Sequence, residues 1–382
     1  MERVLRLGVA WLLVLSVVGA GVFPAAGAAK IAPPGKPMVQ VAILLDTSGS
    51  MEGLIEQAKT ELWKIVNEFA TAKKGGQPPE FQVALYEYGK DTIPASEGYL
   101  RMILPLTTDL DKLSEELFVL RTNGGSEYCG LVIQSAARSL AWSNSSQDYR
   151  VIFIAGNEPF TQGGVDYRKS CADAIGKGII INTIFCGDYN EGINTNWKDG
   201  ADLADGRYFN IDHNSSTVQI DAPQDKEIAR LGAELNKTYL AYGAGGAESA
   251  QRQAQQDKNA RVLAASVAAE RTAAKVSANY RNASWDLVDA VKEGKVKVDE
   301  VKEDELPPEM RKMSAAERKK YVEEKMQERE GIQQTINRLN EQRKEYLAAE
   351  MKKLSQDKSG TFGSAVVKAV REQAGKRNFK FE

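Results

Sequence analysis

Two kinds of apolar spacing alternate between residues 38 and 242. "MVQVAILLD" is a nearly continuous apolar run ending at Asp46, the pattern of a strand covered on both faces. After the turn "TSGS", Ile55, Ala58, Leu62, Ile65 and Phe69 recur at helical spacing. "FQVALYEY" reads as a second strand, and "RMILPL" as an edge strand, because Pro105 has no N–H to give a ladder. Leu110, Leu113, Leu117 and Leu120 mark a helix, with Thr108 and Asp111 in capping-box positions. "YRVIFIA", "GIIINTIFC" and "GRYFNI" are three further strands with helices between them, and Ile228, Leu231, Leu235 and Tyr239 describe a last helix. This rhythm predicts an α/β fold, a mainly parallel six-stranded sheet with helices on both faces. Ligands of such sheets bind beyond the carboxyl ends of the strands.

The pattern changes on either side. From Ala247 onward Ala, Gln, Glu, Lys and Arg dominate, with Tyr280, Trp285, Leu287 and Val288 the best packing residues of a first helical stretch. Pro307 and Pro308 bar a continuous helix, and Ser314 with Glu317 restarts it as a capping box. Val322, Met326, Ile332, Ile336, Leu339, Leu347, Met351 and Leu354 then form a stripe amid dense charge. Arg329, Gly331 and Arg343 interrupt that stripe, so an intramolecular hairpin and an intermolecular coiled coil, hence a homo-oligomer, both stay open. A glycine break and a short basic amphipathic helix follow, its basic face expected in solvent. At the other end, Arg3 and Arg6 precede the apolar run Leu7–Phe23 and the small-residue site Ala26-Gly27-Ala28, the form of a cleaved signal peptide. The expected divisions are a signal peptide 1–28, a linker 29–37, an α/β domain 38–242, helical segments 243–306 and 307–357, and a short helix 358–382. The mature chain is expected to be exported, periplasmic or extracellular, without membrane contact beyond the signal segment.

Composition removes several functions. Fifty basic and 52 acidic residues leave a net charge of -2, with no electrostatic footprint for nucleic acid. The lone histidine, His213, excludes a His-rich zinc site and the common His-dependent catalysts. Export permits disulfides among Cys129, Cys171 and Cys186. Cys171 lies early in the helix leading to the strand that ends at Cys186, so a Cys171–Cys186 bridge with Cys129 free is expected, with Cys129–Cys186 the alternative. Cys129 follows a glycine-rich turn at a helix start, a setting that lowers a thiol pKa, but no base or third group accompanies it.

The chemistry collects where the first strand ends. Asp46-Thr47-Ser48-Gly49-Ser50 presents one carboxylate and two hydroxyls around a single turn, a hard-oxygen set that suits Mg2+ (or Mn2+ or Ca2+) better than zinc. Alone, a D-x-S-x-S run is a common turn and helix cap. After a buried strand and before an amphipathic helix, "VAILLDTSGSM" resembles the von Willebrand factor A (vWA) family and its metal-ion-dependent adhesion site, over about residues 38–242. The resemblance implies a second metal loop at "TNGGSEYCG", where Ser126 holds the place of the usual Thr and Glu127 is an added oxygen donor. The third loop of the family reads like T-D-G-E. Here it reads Ala155-Gly156-Asn157-Glu158, so Gly156 stands where an aspartate is usual, and Asn157, Glu158 or Glu127 can reach the ion instead, directly or through water. What the resemblance implies is a non-enzymatic, adhesion-type module that recognises a protein partner, whose acidic side chain completes the cation's coordination. The alternative is a structural envelope protein with a degenerate, metal-free vWA scaffold and self-associating helices.

Overall fold

A computed structural model describes residues 36–212, 219–354 and 361–381, and Lys36–Glu382 form one compact unit. The segment expected to be a signal peptide, most of the expected linker and His213 lie outside the described residues. The chain runs β1 (Met38–Asp46), α1 (Glu52–Ala70), β2 (Ala72–Lys73), β3 (Glu80–Tyr88), β4 (Leu100–Thr107), α2 (Leu110–Val119), α3 (Cys129–Ser139) and β5 (Tyr149–Gly156). It continues through α4 (Tyr167–Gly176), β6 (Ile180–Cys186), α5 (Tyr189–Asn194), α6 (Trp197–Asp202), β7 (Tyr208–Ile211) and α7 (Asp225–Asn236). The rest is α8 (Gly246–Leu263), α9 (Ala265–Lys275), α10 (Leu287–Lys292), α11 (Ala315–Leu354), α12 (Phe362–Gly375) and β8 (Lys380–Phe381).

The large sheet has the order β4-β3-β1-β5-β6-β7, all parallel except the edge strand β4. β1 is central and buried on both faces, as its unbroken apolar run requires. Val39, Val41, Ile43 and Leu45 pack with α1, α2 and α12, whereas Ala42 and Leu44 pack with α3 and α4. The cap of α2 is not the expected one. Asp109 accepts from Lys112 N at 2.9 Å, while the Asp111 carboxylate turns inward to Arg271.

Two helices depart from the expected layout. Ile228, Leu231 and Leu235 of α7 pack with Ala269 of α9 and Ile336 of α11, not on the sheet. The basic C-terminal helix α12 joins the sheet core instead, through Phe362, Ala365, Val366, Ala369, Val370 and Ala374. Gln373 on its inner face accepts from Tyr149 Oη of β5 at 2.8 Å and from Asn182 Nδ2 of β6 at 3.0 Å. Its N-terminus is held by α1: Glu61 accepts from Thr361 Oγ1 at 2.7 Å and from Gly363 N at 2.6 Å. Beyond α12, β8 pairs with β2 in a small antiparallel ribbon that no sequence pattern announces.

The Ser314–Glu317 box opens α11: Glu317 Oε2 accepts from Ser314 N at 2.7 Å. The stripe on this helix needs correction. Val322, Arg329, Ile336 and Arg343 are all buried and stand at seven-residue spacing, so the arginines belong to the seam and do not interrupt it. Arg329 meets Asp286 and Asp289, each at 2.7 Å, and donates to Thr238 Oγ1 and O. Arg343 meets Asp225 and Glu270, each at 2.5 Å. The seam offered to another chain is therefore occupied within this one.

Candidate functional site

Asp46 ends β1 at the carboxyl edge, between the ends of β3 and β5. The loop after it is pinned from both sides: Thr47 N donates to Tyr88 O at 2.8 Å, and Asn123 N donates to Thr47 O at 2.9 Å. The second donation draws the glycine-rich segment 122–127 over the D-x-S-x-S turn. Glycine is needed there, because a Cβ on Gly125 would come within 2.6 Å of the Gly89 carbonyl oxygen.

The Asp46 side chain is completely buried, and Oδ1 accepts from Ser48 N at 2.7 Å. Its Oδ2 has no hydrogen-bond partner, nor do the buried oxygens Ser48 Oγ and Asn157 Oδ1. Asn157 is oriented by Ser50, whose Oγ accepts from Asn157 Nδ2 at 3.2 Å. Buried polar atoms are rarely left this way, since each costs about 1–3 kcal/mol when unpaired. Glu127 comes alongside. A Cβ on Gly89 would lie 2.8 Å from both Asp46 Oδ1 and Glu127 Cγ, which places both acids against that glycine. Burial raises Asp46 to about 7, the Ser48 hydrogen bond offsetting only part of it. Burial likewise raises Glu127 to about 7, with the Asp46 and Glu158 charges adding to it.

Asp46, Ser48, Ser50 and Asn157 thus converge, Glu127 flanks them, and Glu158 is felt through its charge. Ser126 lies half-buried in the covering loop. No cluster of three or more His, Cys, Asp or Glu side chains able to hold a metal occurs among the described residues. The donors are mainly hydroxyl and amide oxygens around one strand-end carboxylate, a set that fits a hard cation with waters and not zinc.

One residue of this site escaped the sequence analysis. Tyr88, at the end of β3, is fully buried, donates from Oη to Ala155 O at 3.0 Å and lies 3.9 Å from Cys129 Sγ. Its only sequence signal is its place at the end of a strand next to the one ending in Asp46.

The cysteines differ from expectation. All three are free and buried, and burial pushes the Cys129 thiol well up despite its place at a helix start. Cys171 belongs to the core on the α3–α4 face, whereas Cys186 belongs to the core on the α1 face. Consecutive strand positions point to opposite faces, and the expected bridge overlooked that alternation.

No curated protein sequence matches this chain. Among solved structures, similarity extends to an aerotolerance-related membrane protein from Bacteroides fragilis, at 18% identity over 46% of this chain and 92% of that one, with a TM-score of 0.32. BatB from Bacteroides thetaiotaomicron is similar at 16% identity over 58% and 99% of the two chains, with a TM-score of 0.34. The pilus adhesin SpaC from Lactobacillus rhamnosus GG is similar at 12% identity, with a TM-score of 0.34, over 60% of this chain and 30% of the adhesin. The family model for the von Willebrand factor type A domain matches residues 40–221. Over that span the chain carries a vWA-like domain, and its carboxyl edge is the edge that bears Asp46.

Proposed function

We propose that this is an exported, non-enzymatic binding protein whose vWA-like domain recognises a protein partner through a divalent cation at the carboxyl edge. One observation carries the reading: three buried oxygens, Asp46 Oδ2, Ser48 Oγ and Asn157 Oδ1, lack hydrogen-bond partners at the same edge. A cation satisfies such oxygens and offsets the burial of Asp46. Asp46, Ser48 and Asn157 would hold it, with Ser50, Ser126, Glu127 and Glu158 contributing directly or through water. Mg2+ fits this donor set, as do Mn2+ and Ca2+. The bound ion would present a positive centre to a carboxylate of the partner. Export rests on the form of residues 1–28.

The test is capture of partners from the native extracytoplasmic fraction, using the full mature chain in Mg2+ or in EDTA, with Asp46→Asn as control. The proposal expects a protein retained only by the native chain in Mg2+. Identical retention in EDTA and by the Asp46→Asn chain would refute cation-mediated recognition.

A further inference from the structure

The Asp46 carboxylate stands between two glycines, Gly89 after β3 and Gly156 at the end of β5. They are glycine for different reasons. Gly89 has φ +79°, a conformation that favours glycine, whereas Gly156 is not among the glycines of positive φ. What Gly156 lacks is room. A Cβ there would lie 2.5 Å from Tyr88 Oη, 2.8 Å from Asp46 Oδ2 and 3.0 Å from Asp46 Cβ. Tyr88 cannot withdraw cheaply, because its ring is packed in the α3–α4 core and its hydroxyl is bonded to the Ala155 carbonyl.

We propose that Tyr88 stands in for the side chain usual at the third loop: its phenol fills the space beside Asp46, restricts position 156 to glycine, and puts a neutral hydroxyl where a second strand-end carboxylate would otherwise sit. Tyr88 is then a positioning residue for Asp46. The exchange has a physical consequence in each state of the site. Without a cation, Asp46 and Glu127 already crowd the same glycine, and another carboxylate would add a further acid beside them. With a cation, one negative oxygen fewer faces the ion, so binding is weaker than a second carboxylate would allow. The affinity consequence rests on the cation reading; the packing of Tyr88 against position 156 does not.

A double-mutant cycle separates the two. Melting of the full mature chain in EDTA is compared for the native protein, Tyr88→Phe, Gly156→Ala and the double variant, which needs no metal. Gly156→Ala should lower the melting temperature by roughly 2–4 °C, and by less than half as much when made on top of Tyr88→Phe. An equal drop in both backgrounds would overturn the pairing. Calorimetric titration with Mg2+ then compares Tyr88→Phe with Tyr88→Phe/Gly156→Asp, and the added carboxylate should tighten binding about tenfold. Equal affinities would overturn the charge substitution. Coupling in the melting cycle with no Mg2+ binding by any of these proteins would uphold the packing pair and overturn the cation reading.

Discussion

The carboxyl edge of the sheet and the helical layer built from α7 to α11 both bury charge, and they treat it in opposite ways. In the helical layer each buried cation of the cluster has its counter-charge. Arg271 lies between Asp111 and Asp257 with its guanidinium over Trp63, Lys275 meets Asp257, and Arg329 and Arg343 each meet two acids. At the carboxyl edge, Asp46 faces other acids, and three buried oxygens lack partners. Paired buried charges hold elements together, whereas a buried carboxylate oxygen left without a partner in a pinned loop marks a place built for something else.

Breaking a completed network should have the largest effect. Arg329→Met removes the shared counter-charge of Asp286 and Asp289, and urea unfolding should show a loss of about 3–5 kcal/mol. A loss below about 1 kcal/mol would deny these pairs a structural role. Next comes acid sensitivity. Burial on its own would raise the Asp257 carboxyl, but Lys275 and Arg271 outweigh it and hold the group well below the usual range. A depressed carboxylate stabilises the fold above its unfolded value, near 4, and that contribution is lost as pH falls through the folded value. Asp257→Asn should therefore cost about 2 kcal/mol at neutral pH and flatten the acid limb of melting temperature against pH. An unchanged acid limb would count against the network.

Asp46→Asn should behave oppositely. The amide keeps an oxygen for Ser48 N while removing a charge that burial disfavours, so in EDTA at pH 8 stability should hold or rise by about 1 kcal/mol. A loss matching that of Arg329→Met would place Asp46 among the structural acids. The smallest effect belongs to the thiols. All three should resist a thiol reagent in the native chain and react after unfolding, and melting should be the same with and without reductant. A reductant-sensitive melting point would restore a disulfide.

These differences follow what was legible in the sequence. β1, its turn and the helix after it are local patterns, so Asp46, Ser48 and Ser50 and the sheet around them could be read directly. Arg329 and Arg343 looked like interruptions because a heptad shows spacing but not what stands opposite, and their partners come from α7, α9, and the loop entering α10 and its first turn. α12 looked like a solvated basic helix because its inner face is short and mostly alanine and valine. Its arginine, Arg371, pairs with Glu68, 303 residues away, and its place on the sheet depends on Tyr149 and Asn182. Tyr88 was invisible as a site residue, since its role depends on which strand lies two places across the sheet. Long-range polar pairing was the part that local pattern could not supply.

The unpartnered oxygens at the ends of β1 and β5 are proposed to take a cation. The most direct measurement is calorimetric titration of the full mature chain with Mg2+, beside the Asp46→Asn variant. Saturable binding by the native chain is expected, with a matching rise in melting temperature with ion concentration, and neither in the variant. Absence of binding by a folded native chain at millimolar Mg2+, with equal melting in Mg2+ and EDTA, would contradict it.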